Sequence, residues 1–547
     1  MAVTASVLLC WLGLLWRRTG VRAFRVEVAL LPQHYLQALA HTSILVYWGF
    51  YWQPVKDATL LIAAQIVFAY AFGMLLAWTR GKSYTLGFGP FPIVYSINLF
   101  LRFVDDWFYL QFVMVAVGLL AKEFVRWERD GRRTHIFNPA AFTLALFSLG
   151  LILTGTTDIT WGEDIASLLI APPGIYLFIL LVSLPSQFLF GVTSMTLPAV
   201  LTTYLFSFAY LQVTGTYYFF DADIPIAVFL GMHLLFTDPS TAPGNERGRI
   251  LFGVIYGASV VGLYWLLGAL GVPTFYDKLL QVPLMNLMVR QLDAVTGRWP
   301  TAAPEPVRPA PRGRRLAYVT VWALVFTGLS STRALGDHHP GYTVPFWRNA
   351  CTAGRHNACE RLAVLQSQAC RAGSGWGCTE LGILEATGLV TAAPAEDLFE
   401  RACSLGSRSG CLNRQVLAEG RRDFHHDDPQ VPDYRFLLQE GRGPLLTQVP
   451  GVLFTIACDQ GWVEGCGSLA GSYLEGNDFP QDKPRAARLL DDACRAGHAR
   501  SCFNLGVMRW LGDGVAQDRE KALALRKKAC GLGYAPACKA PDESGSS

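Results

Sequence analysis

The sequence predicts an all-α protein in two parts: a polytopic transmembrane helix bundle followed by an extracytoplasmic α-solenoid of disulfide-stapled helix hairpins. Three observations support this prediction. Most apolar runs of the 547-residue chain lie before residue 333. Basic residues recur between alternate runs, as expected for loops on the cytoplasmic side of a membrane. Twelve of the 13 cysteines form six equally spaced pairs after residue 350.

Apolar runs of near 20 residues predict helices that cross a membrane. The composition agrees, because 52% of the residues are hydrophobic and only 16% are charged, which is low for a soluble protein. The predicted crossings, about eleven or twelve in number, are Val3 to Trp16 and the runs near 35–53, 58–78, 84–101, 107–125, 137–154, 168–190, 194–213, 224–236, 250–271, 278–292 and 316–332.

Charged residues orient these helices. If each run crosses once, one side holds the basic clusters Arg17 to Arg25, Arg80 with Lys82, Lys122 to Arg133, Arg247 with Arg249, and Arg290 to Arg315. The acidic loops around Asp105, Asp158 and Asp221 then fall on the other side. Everything after the last crossing is therefore placed outside the cytoplasm. We expect a multi-pass protein of the bacterial inner (cytoplasmic) membrane, in contact with the lipid bilayer, whose C-terminal repeats lie in the periplasm or outside.

The predicted domain boundaries follow from these patterns. Residues 1–297 form the polytopic membrane domain, and residues 298–315 form a Pro-rich, basic cytoplasmic linker. Residues 316–333 form a single transmembrane helix, and residues 346–547 form the repeat domain.

The cysteine pairs share a pattern as well as a spacing. Alanine precedes each first cysteine, glycine follows it by three residues, and a small residue precedes each second cysteine. Residues eight apart on one helix are about 12 Å apart along the axis, and a disulfide needs Cα atoms within about 7 Å. The glycine predicts a left-handed residue that ends the first helix. The predicted pairs are Cys351–Cys359, Cys370–Cys378, Cys403–Cys411, Cys458–Cys466, Cys494–Cys502 and Cys530–Cys538.

Two alternatives to disulfides are zinc ligation and reduced cysteines in a core. Zinc sites favour short Cys-x-x-Cys knuckles or added histidines. Disulfides imply an oxidising compartment, which agrees with the side that the basic clusters assign to this region.

The C-terminal cysteines recur with a repeat-protein period. Cys458, Cys494 and Cys530 are 36 residues apart, which is typical of two helices and two turns per unit. The unit "CFNLGVMRWLGDGVAQDREKALALRKKAC" resembles Sel1-like repeats, relatives of the tetratricopeptide array, and the resemblance covers residues of about 350 to 547. It implies a protein partner for the repeat domain. An insertion between Cys403 and Cys458 contains "HHDDPQVPDY", His425 to Tyr434, which we interpret as a solvated polar loop and not as a metal site.

Polar stretches interrupt the apolar sequence of the predicted membrane domain. Asn-Pro and Asp-Pro favour turns and helix starts, and a helix N-terminus near an arginine can hold an anion such as a phosphate. Ordinary turns at a membrane interface are the alternative. His233, one helical turn before the Thr237-Asp238-Pro239 turn, either faces a cofactor or packs in the core.

The same stretches carry a second resemblance. "FNPAAF", "TDPSTAP", "NERGRILFGVIYG" and "VPLMNLMVRQLD" occur in the order found in the NqrB/RnfD family of membrane redox subunits, over residues of about 80 to 295. The resemblance implies a bundle of about ten helices in inverted repeats, FMN or another flavin, and electron-transfer partners. The implied cofactor-binding residues are Thr156, Thr157, Asn138, Pro139, His233, Thr237, Asp238, Thr241 and Arg249.

The sequence departs from this family at the covalent flavin site. The family attaches FMN to a threonine in a Ser-Gly-Ala-Thr-like motif, which is missing here, and "TGTTD" with Thr156 and Thr157 is the nearest text. No P-loop, Gly-x-Gly-x-x-Gly before a helix, or hydrolase motif occurs, and the basic residues serve membrane topology, so nucleic acid is not an expected partner. We therefore expect a membrane redox or electron-transfer protein with a partner-binding repeat array. The alternatives are a non-redox membrane-anchored interaction scaffold and a diverged transporter.

Overall fold

The computed structural model describes residues 2–19, 24–129, 132–162, 165, 169, 172–297, 311–336, 339–371, 373–426, 428, 450–459, 461–476 and 478–538. These residues are mostly helical. They group into two compact units, Met1–Leu211 with Tyr217–His339 and Gln212–Thr216 with Pro340–Ser547.

The first unit is a bundle of helices with two short strand pairs. Its helices are α1 (Ala2–Thr19), α2 (Pro32–Gly49), α3 (Gln53–Asp57), α4 (Thr59–Thr79), α5 (Pro90–Phe100), α6 (Tyr109–Phe124), α7 (Pro139–Thr154), α8 (Ile175–Phe190), α9 (Thr193–Thr214), α10 (Ile226–Leu234), α11 (Glu246–Ala269), α12 (Asp277–Gly297) and α13 (Arg312–Ser331). Strand β1 (Val26–Val28) pairs in parallel with β2 (Tyr84–Leu86), and β3 (Arg126–Arg129) pairs antiparallel with β4 (Arg132–His135).

Several of these helices are apolar on every side. Among the described residues, α4, α9 and α11 are long and apolar enough to cross a membrane, and α5, α7 and α8 are shorter apolar helices. Length and composition alone define the three long candidates. Helices that are hydrophobic all round are typical of buried cores or membrane spans.

Some predicted crossings differ from the helices that form. The run near 84–101 begins with strand β2, and its helix starts only at Pro90. The run near 224–236 gives the nine-residue helix α10, which starts after Pro225. In both places proline and its neighbours set the helix start, because proline fits the first turn of a helix and not its interior. Helix α13 begins at Arg312, within the predicted linker 298–315, of which residues 298–310 lie outside the described residues.

The second unit is a series of helix hairpins. Its helices are α14 (Val344–Thr352), α15 (Ala358–Arg371), α16 (Gly375–Ala386), α17 (Ala395–Ser404), α18 (Arg408–Ala418), α19 (Pro450–Asp459), α20 (Val463–Glu475), α21 (Lys483–Arg495), α22 (Ala499–Leu511), α23 (Arg519–Gly531) and α24 (Ala535–Cys538). Asp482 and Asp518 cap α21 and α23 by accepting a backbone N–H of the first turn.

Disulfides join the end of one helix to the start of the next throughout this unit, as predicted. All six predicted pairs are bonded, with Cα–Cα distances of 4.5 to 4.8 Å. The glycine after each first cysteine is left-handed, with φ between 63° and 97° at Gly354, Gly373, Gly406, Gly461, Gly497 and Gly533. A residue with a Cβ is disfavoured there, which explains why glycine recurs at that position. Cys10 is exposed and unpaired.

Candidate functional site

Two of the polar motifs meet at one cavity in the first unit. The cavity has a volume of about 530 Å³, within the range of ligand pockets. Asn138 and Pro139 of "FNPAAF" line it, together with Asp238 of "TDPSTAP". The remaining polar lining includes His34, Lys122, His135 and Ser240.

Asn138 joins the two motifs. Its side-chain oxygen accepts the N–H of Ala141 at 3.1 Å, which caps α7. Its side-chain amide donates to the carbonyl of Leu235 at 3.1 Å, just before the second motif. One asparagine therefore starts α7 and fixes its N-terminus to the chain that leads into Asp238.

The final helix of the quoted motifs, α12, completes the network. The side-chain oxygen of Asn286 accepts the backbone N–H of Asn138 at 3.1 Å, and its amide donates to the carbonyl of Thr241 at 3.1 Å. Two turns further along the same face, Asp293 accepts the N–H of Gly244 at 2.9 Å and the side-chain amide of Asn245 at 3.1 Å. Asn286 and Asp293 of α12 thus bond to residues in each of the other three quoted motifs.

The polar wall of the cavity contains a carboxylate, Asp238. Nε2 of His135 lies 3.5 Å from the Asp238 carboxylate and 2.9 Å from the Ser240 hydroxyl, which donates to Asp238 at 2.6 Å. Burial acts to raise the pKa of Asp238, but hydrogen bonds and charge from His135, with two hydrogen bonds from Ser240, outweigh it and hold this pKa at about 2. Asp238 is thus held as a carboxylate by its hydrogen bonds to His135 and Ser240.

His34 and Lys122 face the cavity on either side of Gly89. A Cβ built at Gly89 would lie 3.5 Å from the His34 ring and 3.9 Å from the Lys122 ammonium, so both side chains lie close to the backbone at this glycine. An adjoining cavity of about 430 Å³ shares both residues and adds Lys82 and Arg126. The N-terminus of α7 contributes the positive end of its helix dipole to the same space.

The other predicted cofactor residues lie elsewhere. Thr156 and Thr157 follow the C-terminus of α7, and that helix of 16 residues is about 24 Å long. The Thr156 hydroxyl bonds Thr154 at 2.7 Å, so the structure does not bring these threonines to the cavity that Asn138 lines.

His233, Thr237, Thr241 and Arg249 support the second motif without lining the cavity. The His233 ring is fully buried against Phe229 and Trp322, with centroid distances of 4.1 and 5.7 Å. Its Nδ1 lies 2.7 Å from the carbonyl of Phe229, and the Thr237 hydroxyl donates to the His233 carbonyl. Arg249 donates to the carbonyls of Pro243 and Gly191 at 3.0 and 3.1 Å. Of the two interpretations of His233, packing in the core agrees with these contacts.

The sequence analysis did not identify His34, Lys122, His135 or Asn286 as residues of this site. His135 could have been found from the sequence, because it stands three residues before Asn138 and two residues before the quoted motif "FNPAAF". His34 carries no local signal, since only the tertiary fold brings α2 beside α7.

A second candidate site lies on the repeat unit. The residue two positions after the second cysteine of a pair, which we call the clamp position, is Glu380, Asn413, Ser468 or Asn504 in four successive hairpins. Asn413 is fully buried and bonds both backbone groups of His425, at 2.7 and 2.9 Å. Glu380 lies 2.9 Å from the ring of His426. The chain after α18 thus runs as an extended peptide over two clamp positions.

The same segment then reaches α22. The Asp428 carboxylate lies 3.5 Å from His498 and 3.5 Å from Arg500. His498 above all, and then Arg500 and Arg348, lower the pKa of Asp428 against the effect of its burial. Of the insertion His425 to Tyr434, residues 427 and 429–434 lie outside the described residues, and no cluster of metal-ligating side chains occurs among those described.

Comparison with known proteins identifies the class of the repeat unit. Residues 464–498 and 499–534 each match the family model of the Sel1 repeat. Sel1 repeats generally mediate protein–protein interaction, which makes this unit a candidate interaction scaffold. The Sel1-like resemblance is thereby confirmed over these residues, while the NqrB/RnfD resemblance stays a prediction.

Two solved structures are similar to the chain. One is a Sel1 repeat protein from Oxalobacter formigenes, at 14% identity, covering 36% of this chain and 84% of that one, with a TM-score of 0.20. The other is c5321, a protective antigen present in uropathogenic Escherichia coli strains displaying an SLR fold, at 15% identity, covering 73% of this chain and 85% of that one, with a TM-score of 0.20. No curated protein matches the chain.

Proposed function

We propose that the chain is a membrane-anchored interaction scaffold of a bacterial cytoplasmic membrane, and that its stapled repeats hold a partner protein outside the cytoplasm. One observation supports the partner most directly. The stripe Arg500, Asn504, Val507 and Leu511 shares one face of α22, and Val507 and Leu511 are 42% and 66% exposed. The matching residues of α18, Ser409, Asn413 and Val416, are 4%, 0% and 2% exposed.

The chain's own extended segment supports a peptide as the ligand for this stripe. His425 shows how a backbone can bond the clamp asparagine through both its N–H and its C=O. Asn504 and Ser468 make no side-chain hydrogen bond within the described residues. We infer that an extended segment of the partner bonds Asn504 through its backbone and covers Val507 and Leu511 with apolar side chains.

Photo-crosslinking in cells tests this binding face. A benzophenone amino acid at Val507 is expected to give a discrete crosslinked product, which falls several-fold when Asn504→Ala is added. The matched control is the same probe at Leu523 on α23, which is 49% exposed and lies off the stripe. Equal products from both positions, or none from Val507, would contradict the proposed face.

Three features support the membrane side of the proposal. The first unit contains helices long and apolar enough to span a bilayer. Basic residues recur in alternate loops. The six disulfides suit an oxidising compartment.

Thiol labelling of intact cells tests this orientation. After reduction, a membrane-impermeant maleimide is expected to label the repeat cysteines, and without reductant it is expected to label none of them. The control is Gly313→Cys in a Cys10→Ser background, because Gly313 is exposed at the predicted cytoplasmic start of α13. The proposed orientation would be contradicted if Gly313→Cys were labelled in intact cells, or if the reduced repeat cysteines were not labelled.

A second candidate function is electron transfer through a non-covalent flavin. It is favoured by one observation, the convergence of two of the quoted motifs with His34, Lys122 and His135 on a single cavity. These residues fit a phosphate-bearing flavin, since Lys122 and the α7 N-terminus would bind its phosphate, while the flavin would supply redox chemistry. Thr156 and Thr157 do not fit a covalent link there, because they follow the opposite end of α7.

A further inference from the structure

A groove separates α2 from α4 in the first unit. It has a volume of about 430 Å³. Val46 and Gly49 line it from α2, and Ile62 and Ala63 line it from α4. The short helix α3 closes one end, and Tyr95 of α5 lines it as well.

The outer rim of this groove is apolar and exposed. Val46 and Phe50 are 54% and 79% exposed. In a bilayer these side chains face lipid, and an empty gap between them would lose dispersion contacts on every wall. Water is a poor filler, because a buried water needs two to four polar partners and the walls of α2 and α4 supply few.

The end of the groove at α3 carries a positive charge. Lys56 lines the groove, is exposed, and forms no ion pair within the described residues. The neighbouring carboxylate of Asp57 accepts the side-chain amide of Gln53 at 2.7 Å. An apolar slot with a lysine at its mouth matches an acyl chain that carries a phosphate.

We propose that this groove binds one acyl chain of an anionic phospholipid, whose phosphate pairs with Lys56. The inference rests on the membrane placement in the proposed function and adds a ligand to it.

Lipid retention by the full-length protein tests the site. The protein is reconstituted into vesicles of phosphatidylglycerol and phosphatidylcholine, extracted in mild detergent, and weighed by native mass spectrometry. Wild type is expected to retain phosphatidylglycerol. Lys56→Glu is expected to retain at least about fivefold less phosphatidylglycerol, because each basic group near a membrane surface contributes roughly 1 kcal/mol to binding an anionic lipid.

Gly49→Leu fills the groove itself. A Cβ at Gly49 makes ordinary contacts, 3.7 Å from Val55 Cγ1 and 3.7 Å from the Lys56 N atom, so the variant is expected to fold and to displace the acyl chain. Lys56→Arg keeps the charge and is expected to behave as wild type. Gly150→Leu is the matched control, because Gly150 lies on the exposed face of α7 with nothing within 4 Å.

Three results would overturn the site. Gly49→Leu and Gly150→Leu could retain the same amount of phosphatidylglycerol, or wild type could retain phosphatidylglycerol and phosphatidylcholine equally. Gly49→Leu could also displace an isoprenoid quinone in place of a phospholipid. Alkaline extraction of the vesicles separates this from the proposed function. A protein that stays embedded but shows no effect of these variants removes the lipid site alone. A protein released by alkali removes the membrane placement.

Discussion

Replacing Cys494 and Cys502 together by alanine is expected to lower the free energy of unfolding of the repeat unit by about 2.5 kcal/mol, which is the chain-entropy value for a loop of eight residues. The loss is large against a typical domain stability of about 5 to 15 kcal/mol. Both side chains are buried, at 2% and 0% exposure, and pack with Ala529 and Ala537. Alanine avoids placing a hydroxyl there but leaves a small cavity, which adds to the loss.

The pair Cys530–Cys538 is the matched control for this effect. It closes a loop of the same length, but Cys538 is exposed, so its removal is expected to cost the entropy contribution without a cavity. Thermal unfolding of the full-length protein in detergent, with and without reductant, measures both. A reduced wild type that unfolds at the same temperature as the oxidised protein would show that the staples do not stabilise the array.

The hairpins of the repeat unit were predictable because their signals are local. Each disulfide needs a helix end, a left-handed glycine and a second helix start within nine residues. The sequence "ACRAGHARSC", residues 493–502, indicates all three. The contact between Asn413 and His425 was not predictable in the same way. Both residues looked like ordinary polar surface, and only the reversal of the chain after α18 brings them together.

The first unit shows the same limit more strongly. The Asn-Pro and Asp-Pro stretches could be recognised as motifs, but nothing in the sequence indicates that Asn286 bonds the backbone of Asn138, 148 positions away. Hydrophobic runs gave the approximate positions of the helices but not their lengths, because Pro90 and Pro225 start helices inside or near the ends of longer apolar stretches. The predicted cofactor residues divide accordingly: Asn138, Pro139 and Asp238 meet at a cavity, and Thr156 and Thr157 lie at the far end of α7.

Replacing Asn138 by alanine is expected to have the largest effect of any single change at the cavity. The variant loses the cap of α7, which is worth about 1 kcal/mol. It also leaves the buried carbonyl of Leu235 without its donor, at a cost of about 1 to 3 kcal/mol. Asn138→Asp keeps an acceptor for the Ala141 N–H but cannot donate to Leu235, so it is expected to recover only the cap.

Asn245 provides the control that separates stability from ligand binding. Its side chain caps α11 by accepting the Gly248 N–H at 2.7 Å and donates to Asp293, as Asn138 does for α7 and Leu235, but Asn245 does not line the cavity. Asn138→Ala and Asn245→Ala are therefore expected to lower the unfolding temperature alike. If the cavity holds a flavin, purified wild type and Asn245→Ala absorb near the flavin bands and release that colour on acid precipitation, while Asn138→Ala is colourless. A colourless wild type would remove the electron-transfer candidate and leave Asn138 as a structural joint, since its three hydrogen bonds to α7, Leu235 and Asn286 need no ligand to account for them.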